Sequence, residues 1–283
     1  MQKLTFFTLF FIGILFASHA RVPACGESQL TENFSLKYCL YLTDRTKNKD
    51  IIFYLHGRGG NAHSWSENYG KELEKYWRLN NLPAPTIIAI SFGPQWFLTE
   101  FPLAPGLPPL QELYTNILIP NYEAMLGGPQ GGRRMLVGES MGGYNASMLF
   151  LKRSKLFAKV AILCPAIPTI TPFSTTAEIE DYMQRTGADR AKVEDMVKTS
   201  RALFPTTELW LNHSPLDLVR THTDFSSPEL YLSCGDKDEY GFFEGTEQFS
   251  KLSAANGVKQ LWVPISEGVH CSVDTISLAT FLQ

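Results

Sequence analysis

Beyond Phe16 no stretch of the chain approaches the roughly 20 consecutive apolar residues that a membrane-spanning helix requires. The five cysteines include no C-x-x-C pair and the six histidines no H-x-x-x-H pair. A structural or catalytic zinc site is therefore not expected, and neither is any other metal or cofactor. Charge of one sign is also missing: 25 Lys and Arg stand against 28 Asp and Glu, a formal net charge of −3. Nothing in that balance points to nucleic acid or another polyanion as partner. Internal repeats and low-complexity tracts are absent too, which leaves a chain long enough for one large core.

The N-terminus has a short basic start at Lys3, an apolar run from Leu4 to Phe16, and small residues in Ala17-Ser18-His19-Ala20. These are the three regions of a secretory signal peptide, with cleavage expected after Ala20 and a secreted or periplasmic mature protein of residues 21–283 without stable membrane insertion. A lipid-anchored alternative would use Cys25 in Val22-Pro23-Ala24-Cys25, against which stand Pro23 and the interrupting Arg21. All five cysteines lie past the cleavage point and would meet an oxidising compartment. An odd count leaves at least one thiol free. Cys164 reads as a buried small hydrophobe in an apolar strand, while Cys25 with Cys39, and Cys234 with Cys271, are the pairings considered.

Strand patterns fall at Phe34–Leu42, Asp50–Leu55, Thr86–Ile90, Arg134–Val137, Lys159–Leu163, Glu229–Ser233 and Gln260–Pro264. Helical patterns fall at Ser66–Leu79, Leu110–Met125, Tyr144–Lys152, Phe243–Ala255 and from Ser272 onward. Strands alternating with helices predict an α/β fold, a mostly parallel central sheet with helices on both faces. One interval breaks the rhythm. About sixty residues separate the strands ending near Leu163 and beginning near Glu229, with helical patterns at Thr176–Thr186 and Asp189–Leu203. This insertion, about 168–227, is expected to cap the carboxyl edge of the sheet, where ligands bind in open parallel sheets. The competing reading is a decoration remote from any site.

Gly138-Glu139-Ser140-Met141-Gly142 stands between the strand ending at Val137 and the helix beginning near Tyr144. A G-x-S-x-G turn between strand and helix lifts a serine hydroxyl above the sheet edge. The following helix aims free N–H groups at it. A serine becomes nucleophilic only beside a base, usually a histidine oriented by a carboxylate. Of the histidines, His270 alone follows a C-terminal strand through a short turn and precedes a final helix. For the acid, Gly235-Asp236-Lys237-Asp238-Glu239 offers three choices in the turn after a strand. Asp238 is preferred; Asp236 is read as capping the turn, and Glu239 stands as a third choice. Backbone donors for an oxyanion are expected from Met141 and from the loop His56-Gly57-Arg58-Gly59-Gly60, with Arg58 first and Gly59 in reserve. His56 is expected to be structural.

Taken together, His56-Gly57, Gly138-Glu139-Ser140-Met141-Gly142-Gly143, Gly235-Asp236-Lys237-Asp238 and Gly268-Val269-His270 resemble the α/β-hydrolase superfamily over about residues 34–283. The helix Asn116–Glu123 and the loop Ser91-Phe92-Gly93-Pro94-Gln95-Trp96 are similar to its esterase-D-like group, which includes feruloyl esterases, S-formylglutathione hydrolases and secreted mycolyltransferases. The resemblance implies a serine carboxylic-ester hydrolase with an acyl-enzyme on Ser140. Export fits badly with a glutathione-ester substrate, which is intracellular. The substrate is expected to be a small or polymer-linked ester. An acyltransferase would use the same triad; a peptidase and a catalytically silent binding module are weaker alternatives. Trp96 and Phe97, with Phe101, would form an apolar wall for the acyl or aryl group, unless they pack as core. The Arg58 side chain would be solvated or would meet an acidic substrate.

Overall fold

The computed structural model describes residues 21–31, 34–103, 106–127, 131–221 and 228–283. The expected signal peptide and the end of the expected insertion, 222–227, lie outside them. Eight strands and eleven helices follow in chain order among the described residues. They are β1 (Ala24–Thr31), β2 (Phe34–Tyr41), β3 (Ile51–Leu55), α1 (Ser64–Glu67), α2 (Gly70–Leu79), β4 (Thr86–Ser91), α3 (Leu110–Leu113), α4 (Ile119–Met125), β5 (Arg134–Glu139) and α5 (Met141–Lys152). The second half holds β6 (Lys159–Leu163), α6 (Thr176–Thr186), α7 (Arg190–Leu203), α8 (Thr207–Leu211), α9 (Pro215–Thr221), β7 (Glu229–Gly235), α10 (Phe242–Ala255), β8 (Gln260–Ile265) and α11 (Thr275–Phe281).

The strands form one sheet in the order β1-β2-β4-β3-β5-β6-β7-β8. The pairs β1/β2 and β2/β4 are antiparallel and the remaining pairs parallel. This is the α/β-hydrolase arrangement, with β5, the strand that leads to Ser140, central. Every residue of β3 and β4 is buried because helices cover both faces, which is why these strands read as unbroken apolar runs. Alternation sorts their side chains. Ile51, Phe53 and Leu55 join one layer with α3, α4, α5, α9 and α10. Ile52 and Tyr54 join the opposite layer with Trp65, Leu73, Trp77 and Leu278 of α1, α2 and α11. Trp77 also donates its indole N–H to Ala279 O at 2.9 Å, pinning α2 to α11.

Three local features depart from the sequence reading. The segment Ala24–Thr31 has no alternating apolar pattern, yet pairs with β2 at the sheet edge, where strands bury little. Cys25 lies opposite Cys39 in that register and is disulfide-bonded to it. The expected helix Ser66–Leu79 breaks between α1 and α2, and the Asn68 side chain at the break reaches Glu139 Oε1 at 2.6 Å. The expected helix Leu110–Met125 widens into a π-helical turn at Tyr114–Leu118. Pro120 follows, whose ring would strike the carbonyl four residues back in a regular helix.

The inserted segment carries its own helix signals. Thr175 and Glu178 form a reciprocal capping box at the start of α6, and Gly187 ends it in the left-handed conformation. Asp189 and Thr206 cap α7 and α8. Tyr182, Met183, Val193 and Val197 make a small core between α6 and α7. Phe204 and Trp210 pack onto Tyr144 and Met148 of α5, which seats the insertion beside the candidate nucleophile's helix.

Candidate active site

Ser140 sits between β5 and α5 with φ 52° and ψ −114°, a strained conformation for a non-glycine residue. Its N–H donates to Leu163 O at 2.9 Å, fixing the turn against β6. The close approach of α5 to β3 requires glycine at 142, where a Cβ would fall 2.0 Å from Leu55 O. Gly57 passes directly over the serine: a Cβ there would stand 3.2 Å from the Ser140 Cβ.

The β8–α11 loop carries His270 to the same place. Its Nε2 lies 2.9 Å from Ser140 Oγ and its Nδ1 2.6 Å from Asp238 Oδ2. An ionised carboxylate only accepts, so Nδ1 is the donor and Nε2 is left to accept from the serine hydroxyl. Asp238 is buried, and its Oδ1 accepts the N–H groups of Tyr240 at 2.9 Å and Phe242 at 3.4 Å. Asp238 therefore both faces His270 and closes the turn. The expected cap by Asp236 does not form; its Oδ1 is buried without a hydrogen-bond partner among the described residues. Glu239 instead accepts the backbone N–H of His270 at 2.8 Å. The imidazole packs against Tyr240 and Phe242, with ring centroids 4.8 and 5.7 Å away.

The second cysteine pairing differs from the one expected. Cys271 is bonded to Cys164, not to Cys234. Strand β7 extends through Gly235, so Cys234 lies inside it, buried, with its thiol 3.6 Å from Asp238 Oδ2. Burial holds that thiol well above its ordinary pKa. Cys164 stands just past the end of β6, where it meets the His270 loop.

Of the two expected oxyanion donors, Met141 opens α5 directly after Ser140, and Arg58 follows Gly57 in the loop that crosses Ser140. The reserve donor Gly59 is committed to Pro94 O at 2.7 Å. His56 is fully buried; Nε2 accepts from Trp96 Nε1 at 3.0 Å and lies 2.8 Å from Ser91 Oγ, and Nδ1 donates to Gly57 O at 2.7 Å. Burial lowers its pKa, consistent with a neutral ring. Glu139, beside the serine, is buried too. Its Oε1 accepts from Tyr54 Oη and Asn68 Nδ2, each at 2.6 Å, and from Gly57 N at 3.4 Å, while burial raises its pKa.

A cavity of about 90 Å³ opens at Ser140, lined by Phe97, Tyr144, Ile167, Met196, Leu203 and Trp210 among others. Its lining is largely apolar. Phe97 lines it, whereas Trp96 does not. The Trp96 side chain is 2% exposed and turns into the core toward His56, because its indole N–H, once buried, needs an acceptor. Phe101 packs on His213 instead of the cavity. The Arg58 side chain bonds Asp195 of α7 across the cavity rim. The α7 lining residues Met196, Thr199, Ser200 and Leu203 were missed. Their spacing of three, four and seven places them on one helical stripe, the signal that would have found them.

Among solved structures the chain is similar to a ferulic acid esterase, at 17% identity and TM-score 0.62, covering 91% of this chain and 94% of that one. It is also similar to an arylesterase, at 14% identity and TM-score 0.65, covering 94% and 84%. An S-formylglutathione hydrolase from Agrobacterium tumefaciens matches at 16% identity and TM-score 0.60, covering 94% of each chain. At such identities these likenesses speak for the fold. No curated protein matches the chain significantly. The sequence profile of the family described as "Putative esterase" matches residues 41–274, so the chain belongs to that family and is a carboxylic-ester hydrolase of α/β-hydrolase fold.

Proposed function

We propose that the protein is an exported serine esterase that works through an acyl-enzyme on Ser140. The observation that carries this reading is the continuous hydrogen-bond chain from Ser140 Oγ through His270 to the buried Asp238. In the proposed reaction His270 Nε2 takes the hydroxyl proton as Oγ attacks the ester carbonyl, and Asp238 stabilises the imidazolium. The oxyanion is met by the N–H groups of Arg58 and Met141, each such donor being worth about 2.7–4 kcal/mol in the transition state. Collapse expels the alcohol with the proton from His270. Water then repeats the sequence on the acyl-enzyme and releases the acid.

The acyl group would occupy the apolar cavity beneath α7 and α8, with the insertion acting as its cap and Phe97 as part of its wall. That lining favours an alkyl or aryl acyl group over a charged one. The two disulfides, Cys25–Cys39 and Cys164–Cys271, support an oxidising compartment and thus the export reading. Among the described residues no helix is long and apolar enough to cross a membrane.

The direct test is labelling with a fluorophosphonate, followed by peptide mapping. Ser140 should carry the adduct, and Ser140→Ala should neither label nor hydrolyse aryl esters. A folded wild-type protein that resists the reagent, or a Ser140→Ala variant that retains activity, would sink the proposal.

A further inference from the structure

Trp96 connects the two sides of the candidate oxyanion hole. Its indole Nε1–H donates to His56 Nε2 at 3.0 Å, and His56 in turn holds Gly57 O at 2.7 Å, the residue before Arg58. An indole N–H only donates, so it selects the His56 tautomer that carries its hydrogen on Nδ1, the one able to bind Gly57 O. From the same residue the backbone N–H points the other way, to Met141 Sδ at 3.3 Å. Asn145, one turn further along α5, clamps the segment again: Leu98 N donates to Asn145 Oδ1 at 2.8 Å, and Asn145 Nδ2 donates to Trp96 O at 3.3 Å. Apart from the half-buried Gly57, the residues that make these bonds are buried.

The rest of the segment serves the same loop. Ser91 Oγ lies 2.8 Å from His56 Nε2, and Pro94 O accepts Gly59 N–H at 2.7 Å. Gly59, the neighbour of Arg58, is thereby held to the same segment. On this geometry the stretch Ser91–Leu98 is a strut between the loop bearing one oxyanion donor and the helix bearing the other. We propose that Trp96 is a positioning residue for the oxyanion hole, setting the Arg58 N–H and Met141 N–H relative to each other through His56 and α5. The proposal rests on the serine-esterase reading of the site. Trp96 does not line the cavity at Ser140, so on this proposal its contribution belongs to the transition state and not to substrate binding.

Trp96→Phe keeps the ring and removes the indole donor. Steady-state hydrolysis of an aryl ester should show kcat lowered about tenfold with KM within about twofold of wild type. Inhibition by an arylboronic acid, whose tetrahedral adduct places an oxygen in the hole, should weaken by the same factor. Unchanged kcat, or a rise in KM that accounts for the whole loss, would overturn the proposal; the latter would return Trp96 to the substrate wall. Where Trp96→Phe does not fold, Ser91→Ala removes the hydroxyl that packs 2.8 Å from His56 Nε2 in the same segment. It should then lower kcat with KM unchanged, and an unaffected kcat in that variant counts against the strut. Ser140→Ala, assayed beside them, separates the two failures. Loss of activity there with full activity in Trp96→Phe rejects only the strut, whereas activity without Ser140 rejects the reading beneath it.

Discussion

Cys271 is disulfide-bonded to Cys164, and this joins the residue after His270 to the residue after β6. The Ser140 N–H is held by Leu163 O, the neighbour of Cys164. One short segment therefore anchors both the candidate nucleophile and the candidate base, and the bond spans a sequence separation of 107.

Replacing Cys164 and Cys271 together by serine should lower stability by about 2–5 kcal/mol and reduce kcat, because the His270 loop loses its tether. Thermal unfolding and ester hydrolysis with and without reductant check this. Removing Cys25 and Cys39 is the control: it should affect stability and leave kcat near wild type, since that bond lies at the far sheet edge.

Asp238→Asn should lower kcat by roughly 10³–10⁴-fold, because an amide cannot hold the required tautomer of His270 or stabilise its charged form. Asp236→Asn should change kcat by no more than about twofold. Side-by-side kinetics decide between them; the reverse ranking would reassign the acid.

Thr199→Phe, on the α7 stripe that lines the cavity, should fill space needed by longer acyl groups. Its kcat/KM for acetate esters should stay within about threefold of wild type, while that for esters of six or more acyl carbons falls at least about tenfold. A chain-length series measures this. Equal losses across the series would place the acyl group elsewhere.

Burial holds the imidazoles of His56 and His213 below the ordinary value of 6.5. Below that value the unfolded chain binds protons that the folded chain does not, so stability falls as pH drops through the window beneath 6.5 and is fully present above it. Urea unfolding at a series of pH values should show this slope. His213→Phe, which keeps the stacking on Phe204, should flatten it. An unchanged slope would mean that His213 does not contribute to it.

The sequence alone determined the parallel sheet, the strand-to-helix turn at Ser140 and the order of the residues that the structure brings together at it. Each rests on local physics: buried strands read as apolar runs, and a sharp turn needs small residues. Partners distant along the chain were legible only where a local signal marked them, as the turns before Asp238 and His270 did. Tertiary structure alone decided the rest. Trp96 and Phe97 are adjacent and both aromatic, yet one faces the cavity and the other donates to His56, a difference set by where a buried indole finds an acceptor. Cys164 and Cys234 both follow apolar runs, and only the true end of β7 decided which could reach Cys271. Edge pairing by β1, the seat of α7 above Ser140 and the strut through Trp96 depend on contacts between remote segments, which no local pattern encodes.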